Sequence, residues 1–331
     1  MKKTTNKATA ISPANIAFIK FWGKKNPRLN LPFNNSISMN MGNCLTTTTV
    51  EFNPRFRSDK VIINGKEVNA DKKNRVLRIM DIIRDRSGVV WCVKVVSRSN
   101  FPADAGIASS ASAFSALALA GSVAAGQELS QKDLSILARL GSGSASRSVV
   151  DGFAEWLKGK DNGSSYAEQI AAPDFWDLVD IVAVVEKGEK KKSSTEGHAV
   201  ATSSPFYKTR QKLLSQRIRE MKKTLLRKNL KKFGELLEEE AVELHVIAMT
   251  STPPVFYWNK GTMEVINKLR QWREEGIQAY FTMDAGPNVH VICRSADSSR
   301  LNRKLKSIPE VYFTITNKAS VGSRLSPKHL F

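Results

Sequence analysis

Asp284 stands in the stretch TMDAGPN, where an apolar run of strand character gives way to a turn. A carboxylate there either closes an Asx turn or projects from a strand end as a general base near phosphates. Arg147 lies in the run GSGSASRS, Gly141–Ser148. Its guanidinium can grip a phosphate through two parallel hydrogen bonds, with hydroxyls from Ser142, Ser144 and Ser146 beside it. The same run also reads as a capped turn carrying a surface arginine. Lys20 and Lys24, in IKFWGK, are either structural or contacts for an anion. A further stretch, Phe101–Ala111 (FPADAGIASSA), leads into an alanine-rich apolar segment. The first N–H groups of a helix lack internal partners and carry partial positive charge. Ala105–Ser110 is therefore either a phosphate cradle or an ordinary helix start capped by Ser109 or Ser110.

Several familiar devices are absent. There is no Walker A motif, and Gly141–Ser146 has Ser146 where a dinucleotide fingerprint needs its third glycine. His198, His245, His290 and His329 show no metal-ligand spacing. Cys44, Cys92 and Cys293 form no CxxC pair, which argues against a disulfide scaffold or zinc ribbon and for a reducing, cytoplasmic compartment. The apolar stretch Ile16–Trp22 is short and interrupted by Lys20, so neither a signal peptide nor a membrane span is expected. The 331 residues hold 51 Lys and Arg against 31 Asp and Glu, a net charge of +20. Such an excess favours anionic partners, whether nucleic acid, membrane surface or a polyanionic small molecule. Carboxylates interrupt the basic residues along the chain, which disfavours a nucleic-acid-binding protein with one basic face.

The elements that must position these residues follow from periodicity. Residues 8–22 read as two short strands around a Pro13–Asn15 turn, followed by strands at Ser36–Met41 and Thr46–Phe52. Asn64–Gly65 between apolar flanks predicts a hairpin over Val61–Val68. Helices are expected over Asn69–Asp85, Ser109–Ala125 and Gln131–Leu140. Gly141–Ser148 is expected to open a further helix running towards Trp156. Val89–Val96 and Leu178–Val185 read as strands. The polar stretch Glu186–Gly197 reads as a linker, dividing a domain of residues 1–185 from one of 186–331. Beyond it, helices are expected over Pro205–Arg227, Leu230–Met249, Thr262–Glu275 and Ser298–Ile308. The accompanying strands are Ile277–Thr282, Val289–Cys293 and Val311–Thr316. Strand runs and helix runs in two halves indicate an α+β class.

The order PANIAFIKFWGK, LPFNNSISM, TTTTV, FPADAGIASSA, GSGSASRS and DAGPN resembles the mevalonate diphosphate decarboxylases. These belong to the galactokinase, homoserine kinase, mevalonate kinase and phosphomevalonate kinase superfamily. The matches span residues 8–290. The resemblance implies a two-domain small-molecule-kinase-like fold. Its N-terminal domain would be of ribosomal-protein β-α type and its C-terminal domain ferredoxin-like, with the active site in the cleft. It also implies ATP and Mg²⁺ as cofactors, mevalonate 5-diphosphate as substrate, a homodimer, and no nucleic-acid or membrane partner. Asp284 matches the catalytic aspartate, and Arg147 an arginine holding substrate carboxylate and phosphate. Asn15 matches an asparagine that orients the substrate carboxylate. Lys20 and Phe21 fall among the substrate contacts, with Lys24, Ser142 and Ser144 on the diphosphate. Gly106, Ala108, Ser109 and Ser110 match the ATP-phosphate loop, Ser109 or Ser110 lying near Mg²⁺. Ser193 and Ser194 match a nucleotide-contacting loop. Two positions depart from the family pattern: Phe21 replaces a tyrosine, and His198 replaces a methionine after Gly197. The first departure keeps mevalonate 5-phosphate as an alternative substrate.

Overall fold

The structure, a computed structural model, describes residues 6–102, 107–187 and 193–331. Its first sheet is built on two long antiparallel strands, Lys7–Ile19 and Ser36–Phe52. The expected breaks inside each of them are bulges. The pairing passes from Pro13 opposite Leu45 to Ala14 opposite Met41, so three residues of the partner loop out where the proline lacks a ladder donor. The chain bends there and carries on as one strand. Val93–Ser99 pairs with the far half of Ser36–Phe52, and Lys60–Ile63 adds in parallel beside it. The hairpin turn falls at Asn64 and Gly65, both with positive φ, the geometry that an Asn-Gly pair favours.

The helices Ala70–Ser87, Ser109–Ala124 and Gln131–Gly141 cover one face of this sheet. Ile79, Met80, Ile83, Leu117 and Leu137 pack there on Val50, Phe52 and Val95. The helix expected after Gly141 does not form. Gly143–Ser146 makes a single 3-10 turn, and Phe153–Trp156 is a strand paired with Ser36–Met39. Sheet pairing decides the matter, and Gly152, with φ 65°, breaks any helix before it. Gly143 also packs where a side chain would collide, since an added Cβ would lie 2.7 Å from Phe21 and 2.8 Å from Trp156.

The second sheet is antiparallel, in the order Tyr280–Thr282, Val289–Arg294, Leu178–Val184, Phe313–Lys318. Leu178–Val184 is buried on both faces. Val179, Ile181 and Ala183 face the helices Lys260–Glu274 and Ser295–Lys306, through Leu269, Trp272 and Leu305. Leu178, Val182 and Val184 turn to a core shared with the first sheet, which contains Phe18, Ile37, Leu214, Phe233 and Leu237. Leu214 belongs to the helix Tyr207–Leu226, and Phe233 and Leu237 to Leu230–Met249. The strand Leu178–Val184 precedes the expected division at residue 186, yet it is a central strand of the second sheet. Part of the expected linker is also regular: Ser194–Val200 is a helix, opened by a reciprocal cap between Ser193 and Glu196.

Candidate active site

A cavity of about 350 Å³ opens between the two sheets and their helices. Its wall draws Lys20, Phe21 and Lys24 from the end of the first strand and the segment after it. It takes Ser109 and Ser110 from a helix start, and Ser142, Ser144 and Arg147 from the 3-10 turn. Asp284 comes from the second sheet. The sequence stretches that read as anion-binding therefore converge.

Asp284 follows the Tyr280–Thr282 strand. The backbone closes its turn, with Gly286 N–H donating to the Asp284 carbonyl at 2.8 Å. The carboxylate is turned instead to Lys20, whose Nζ donates to Oδ1 at 2.8 Å. Burial pushes the Asp284 carboxyl up, but the charge and hydrogen bond of Lys20, with His290 and Arg147 nearby, more than offset this and hold it below its ordinary range. Lys20 itself is only 1% exposed. Burial lowers its ammonium, with Asp284 and Glu240 opposing. Its Nζ also donates to the Ala17 carbonyl at 2.7 Å.

The backbone of Lys20 is held from both halves of the chain. Its N–H donates to Glu240 Oε2 at 3.0 Å, and its carbonyl accepts from Asn34 and Arg210. Glu240, fully buried on the Leu230–Met249 helix, also binds Arg210 at 2.9 Å and Arg217 at 2.7 Å. This ion cluster ties the strand that delivers Lys20 to the helices Tyr207–Leu226 and Leu230–Met249.

Arg147 is nearly fully buried. Its Nε and Nη2 donate to Asn15 Oδ1 at 3.2 and 3.0 Å, and its Nη1 to Ser36 Oγ. Burial brings its guanidinium down to about 10 against the pull of Asp284. The Asn15 amide is spent on the protein at both ends, because its Nδ2 donates to the Ser144 carbonyl at 3.1 Å and to Ser148 Oγ at 2.8 Å. Asn15 is fully buried, and its side chain is not among those on the cavity wall. It stands behind Arg147 and aims it.

A family model described as diphosphomevalonate decarboxylase-like N-terminal domain matches residues 12–167, and one for the mevalonate 5-diphosphate decarboxylase C-terminal domain matches 180–326. The diphosphomevalonate decarboxylase of Candida albicans is 34% identical over 313 residues, covering 89% of this chain and 86% of that one. This chain belongs to the diphosphomevalonate decarboxylase family. The Saccharomyces cerevisiae member is 33% identical, with 90% and 80% coverage. Among solved structures, the mevalonate diphosphate decarboxylase of Staphylococcus aureus superposes with a TM-score of 0.92 at 37% identity, covering 97% of this chain and 98% of that one. A relative in complex with MVAPP, AMPPCP and magnesium superposes at 0.90 and 35% identity, with the same coverage.

Within this decarboxylase fold the remaining expected residues fall as follows. Ser109 and Ser110 begin the Ser109–Ala124 helix, but neither is its cap. Ala108 holds that position with φ 45°, a left-handed conformation with no side-chain hydrogen bond. Ser110 and Ser142 hydroxyls lie 3.1 Å apart, linking the helix start to the 3-10 turn. Gly106 lies outside the described residues. Ser193 and Ser194 reach the wall, the Ser193 hydroxyl being engaged with Glu196 in the helix cap. The Lys24 ammonium is lowered by burial and by Arg75 and Arg78.

Sequence reasoning did not single out Lys72, Arg75 or Glu240. Lys72 and Arg75 project from the first turns of Ala70–Ser87 and line this cavity together with a second one of about 410 Å³. The run DKKNR carried that signal, with Lys72 and Arg75 one helical turn apart and bordering the face that carries Val76 and Ile79. The second cavity is walled by Val61, Ile63, Val95, Phe114 and Leu117, and it shares Ser109 and Ser110 with the first. Glu240 left no trace within an acidic run, and His198, noted only as the residue after Gly197, also lines the cavity.

Proposed function

We propose that this chain catalyses the ATP-dependent decarboxylation of mevalonate 5-diphosphate, giving isopentenyl diphosphate, ADP, phosphate and carbon dioxide. The observation that carries the reading is the Asp284–Lys20 pair on the wall of a cavity that also presents Lys24, Arg147 and the hydroxyls of Ser142 and Ser144. A tertiary alcohol is a poor nucleophile. Asp284, kept ionised by Lys20, takes the proton of the 3-hydroxyl as its oxygen attacks the terminal phosphorus of ATP. Hydroxide leaves badly and phosphate leaves well. Once the 3-phosphate forms, the electrons of the bond to the carboxylate become the new carbon–carbon double bond, carbon dioxide departs, and phosphate leaves C3. Arg147 holds the carboxylate end, and its buried guanidinium gains strength from the dry surroundings. Asn15 serves by fixing the Arg147 fork. Lys24, Ser142 and Ser144 bind the diphosphate.

Ser109 and Ser110 stand where the two cavities meet, with Lys72 and Arg75 beside them. The apolar cavity suits a purine ring, and the junction suits its phosphates. Gly106, Ala108, Ser193 and Ser194 complete the proposed nucleotide contacts. Among the described residues no group of three acidic, histidine or cysteine side chains is arranged to hold a metal ion. Mg²⁺ fits as an ion carried by phosphate oxygens with a serine hydroxyl, since it keeps few protein ligands. Bound there, it would neutralise phosphate charge during transfer.

We draw the domain division ahead of Leu178 rather than at residue 186, because that strand is central to the second sheet. We further propose a homodimer in a reducing cytoplasm. Cys44 and Cys293 are buried free thiols, and among the described residues no helix is long and apolar enough to cross a membrane. The test is incubation with ATP, Mg²⁺ and either mevalonate phosphate, following carbon dioxide and ADP. Release from the diphosphate is expected. No ATP-dependent carbon dioxide would refute the reading, and faster turnover of the monophosphate would reassign the substrate.

A further inference from the structure

The Ser194–Val200 helix seats directly on the aromatic segment Phe21–Trp22. A Cβ at Gly197 would lie 2.4 Å from the Trp22 ring and 2.5 Å from Tyr257 Oη, so only a glycine permits this approach. The next residue, His198, stacks on both aromatics, its ring centroid 4.2 Å from that of Phe21 and 4.7 Å from that of Trp22. Gly23 N–H donates to His198 Nδ1 at 3.0 Å. A nitrogen that accepts carries no proton, so the neutral ring bears its hydrogen on Nε2. The edge carrying Nε2 is the one opposite Gly23, and His198 lines the cavity with Lys24, Ser142, Ser144 and Arg147. Of its two aromatic neighbours on the wall, Phe21 has no polar atom, and Trp22 carries a buried Nε1–H with no hydrogen-bond partner among the described residues.

We infer that His198 is a substrate-binding residue, donating from Nε2–H to an oxygen of the substrate diphosphate. This rests on the proposed function. A neutral donor suits the place, because a charged imidazolium would face Lys24. Burial, with Lys24 adding to it against Asp284, brings the ring down to about 3. The short helix thus contributes a directed hydrogen bond without adding to the positive charge of the wall, and the Gly23 contact fixes its direction.

The test compares His198→Asn, which keeps an acceptor for Gly23 and withdraws the donor, with His198→Gln, which returns a donor near the Nε2 position. Steady-state constants are measured for mevalonate 5-diphosphate and ATP. The affinity for inorganic pyrophosphate is read from tryptophan fluorescence, with thermal melting as the check on folding. A lost hydrogen bond to a charged group predicts about a tenfold rise in KM and in the pyrophosphate Kd for His198→Asn, with kcat and the KM for ATP changed by less than about threefold. His198→Gln is expected to recover most of that loss. Unchanged constants in His198→Asn would overturn the inference. So would equal loss in both variants, which would mark the ring as packing alone. If the wild type released no carbon dioxide, the catalytic reading would fail, while the pyrophosphate titration would still decide whether His198 binds an anion.

Discussion

Replacing Asp284 by Asn keeps the volume and removes the charge, and the geometry fixes two separate consequences. The first is chemical. A positioned general base contributes about 10²–10⁴-fold, so kcat should fall by about 3–5 kcal/mol of transition-state stabilisation, at 1.36 kcal/mol per tenfold. The second is structural. The Lys20 ammonium is 1% exposed and loses the one anionic partner it has within hydrogen-bonding distance among the described residues. Removing one member of a fully buried pair costs about 3–5 kcal/mol. Asp284 is 24% exposed, so solvent screens the pair and about half that loss of unfolding free energy is the better figure. The assays are carbon dioxide release for the first and denaturant unfolding for the second, with ATP affinity as a control expected to change little. The companion variant Lys20→Gln tests the link between the two residues. Lys20 lowers the Asp284 carboxyl, and a general base works only when ionised. The acidic limb of kcat/KM should therefore move to higher pH when Lys20 is lost, by about one unit or more. Activity of Asp284→Asn within about tenfold of wild type, or an unmoved acidic limb in Lys20→Gln, would refute the assignment of the base.

Asn15→Ala removes the acceptor that holds two Arg147 nitrogens; kcat/KM should fall by about 10–100-fold with little change in the KM for ATP, measured by steady-state kinetics. Glu240→Gln breaks a buried charge cluster and should cost about 3–5 kcal/mol in denaturant unfolding, with a kcat loss as Lys20 is released. His198 and His245 are both brought down to about 3, by burial first and by Lys24 and Lys20 respectively. The unfolded chain then binds more protons than the folded one between about pH 6.5 and pH 3. Stability is fully present above that window and should fall on acidification at up to about 2.7 kcal/mol per pH unit for the two together. Denaturant melts across pH 4–7 would check this, and His198→Asn should flatten the slope.

Local physics explains which elements were legible. Ala70–Ser87 and Gln131–Gly141 announced themselves because an apolar stripe at helical spacing is a local feature. The Asn64–Gly65 turn was readable for the same reason, since positive φ is a property of those two residues. Lys7–Ile19 and Ser36–Phe52 read as broken because proline and glycine signal turns in isolation, whereas a neighbouring strand turns the same break into a bulge. Phe153–Trp156 was misread because its state comes from pairing with Ser36–Met39, more than a hundred residues away.

The site divides along the same line. Residue type and order alone marked an aspartate, an arginine and several serines as candidates for handling phosphate, because those capacities reside in single side chains. Tertiary structure decided what each side chain does. It turned Asn15 inward to serve Arg147 and paired Asp284 with a lysine 264 positions earlier. It also recruited Glu240 to hold that lysine's backbone. It set His198 against Phe21, joining the two departures from the family pattern in one stack. Direction, burial and partnership depend on what packs nearby, and distances of about 3 Å between residues far apart in sequence exist only once the chain has folded.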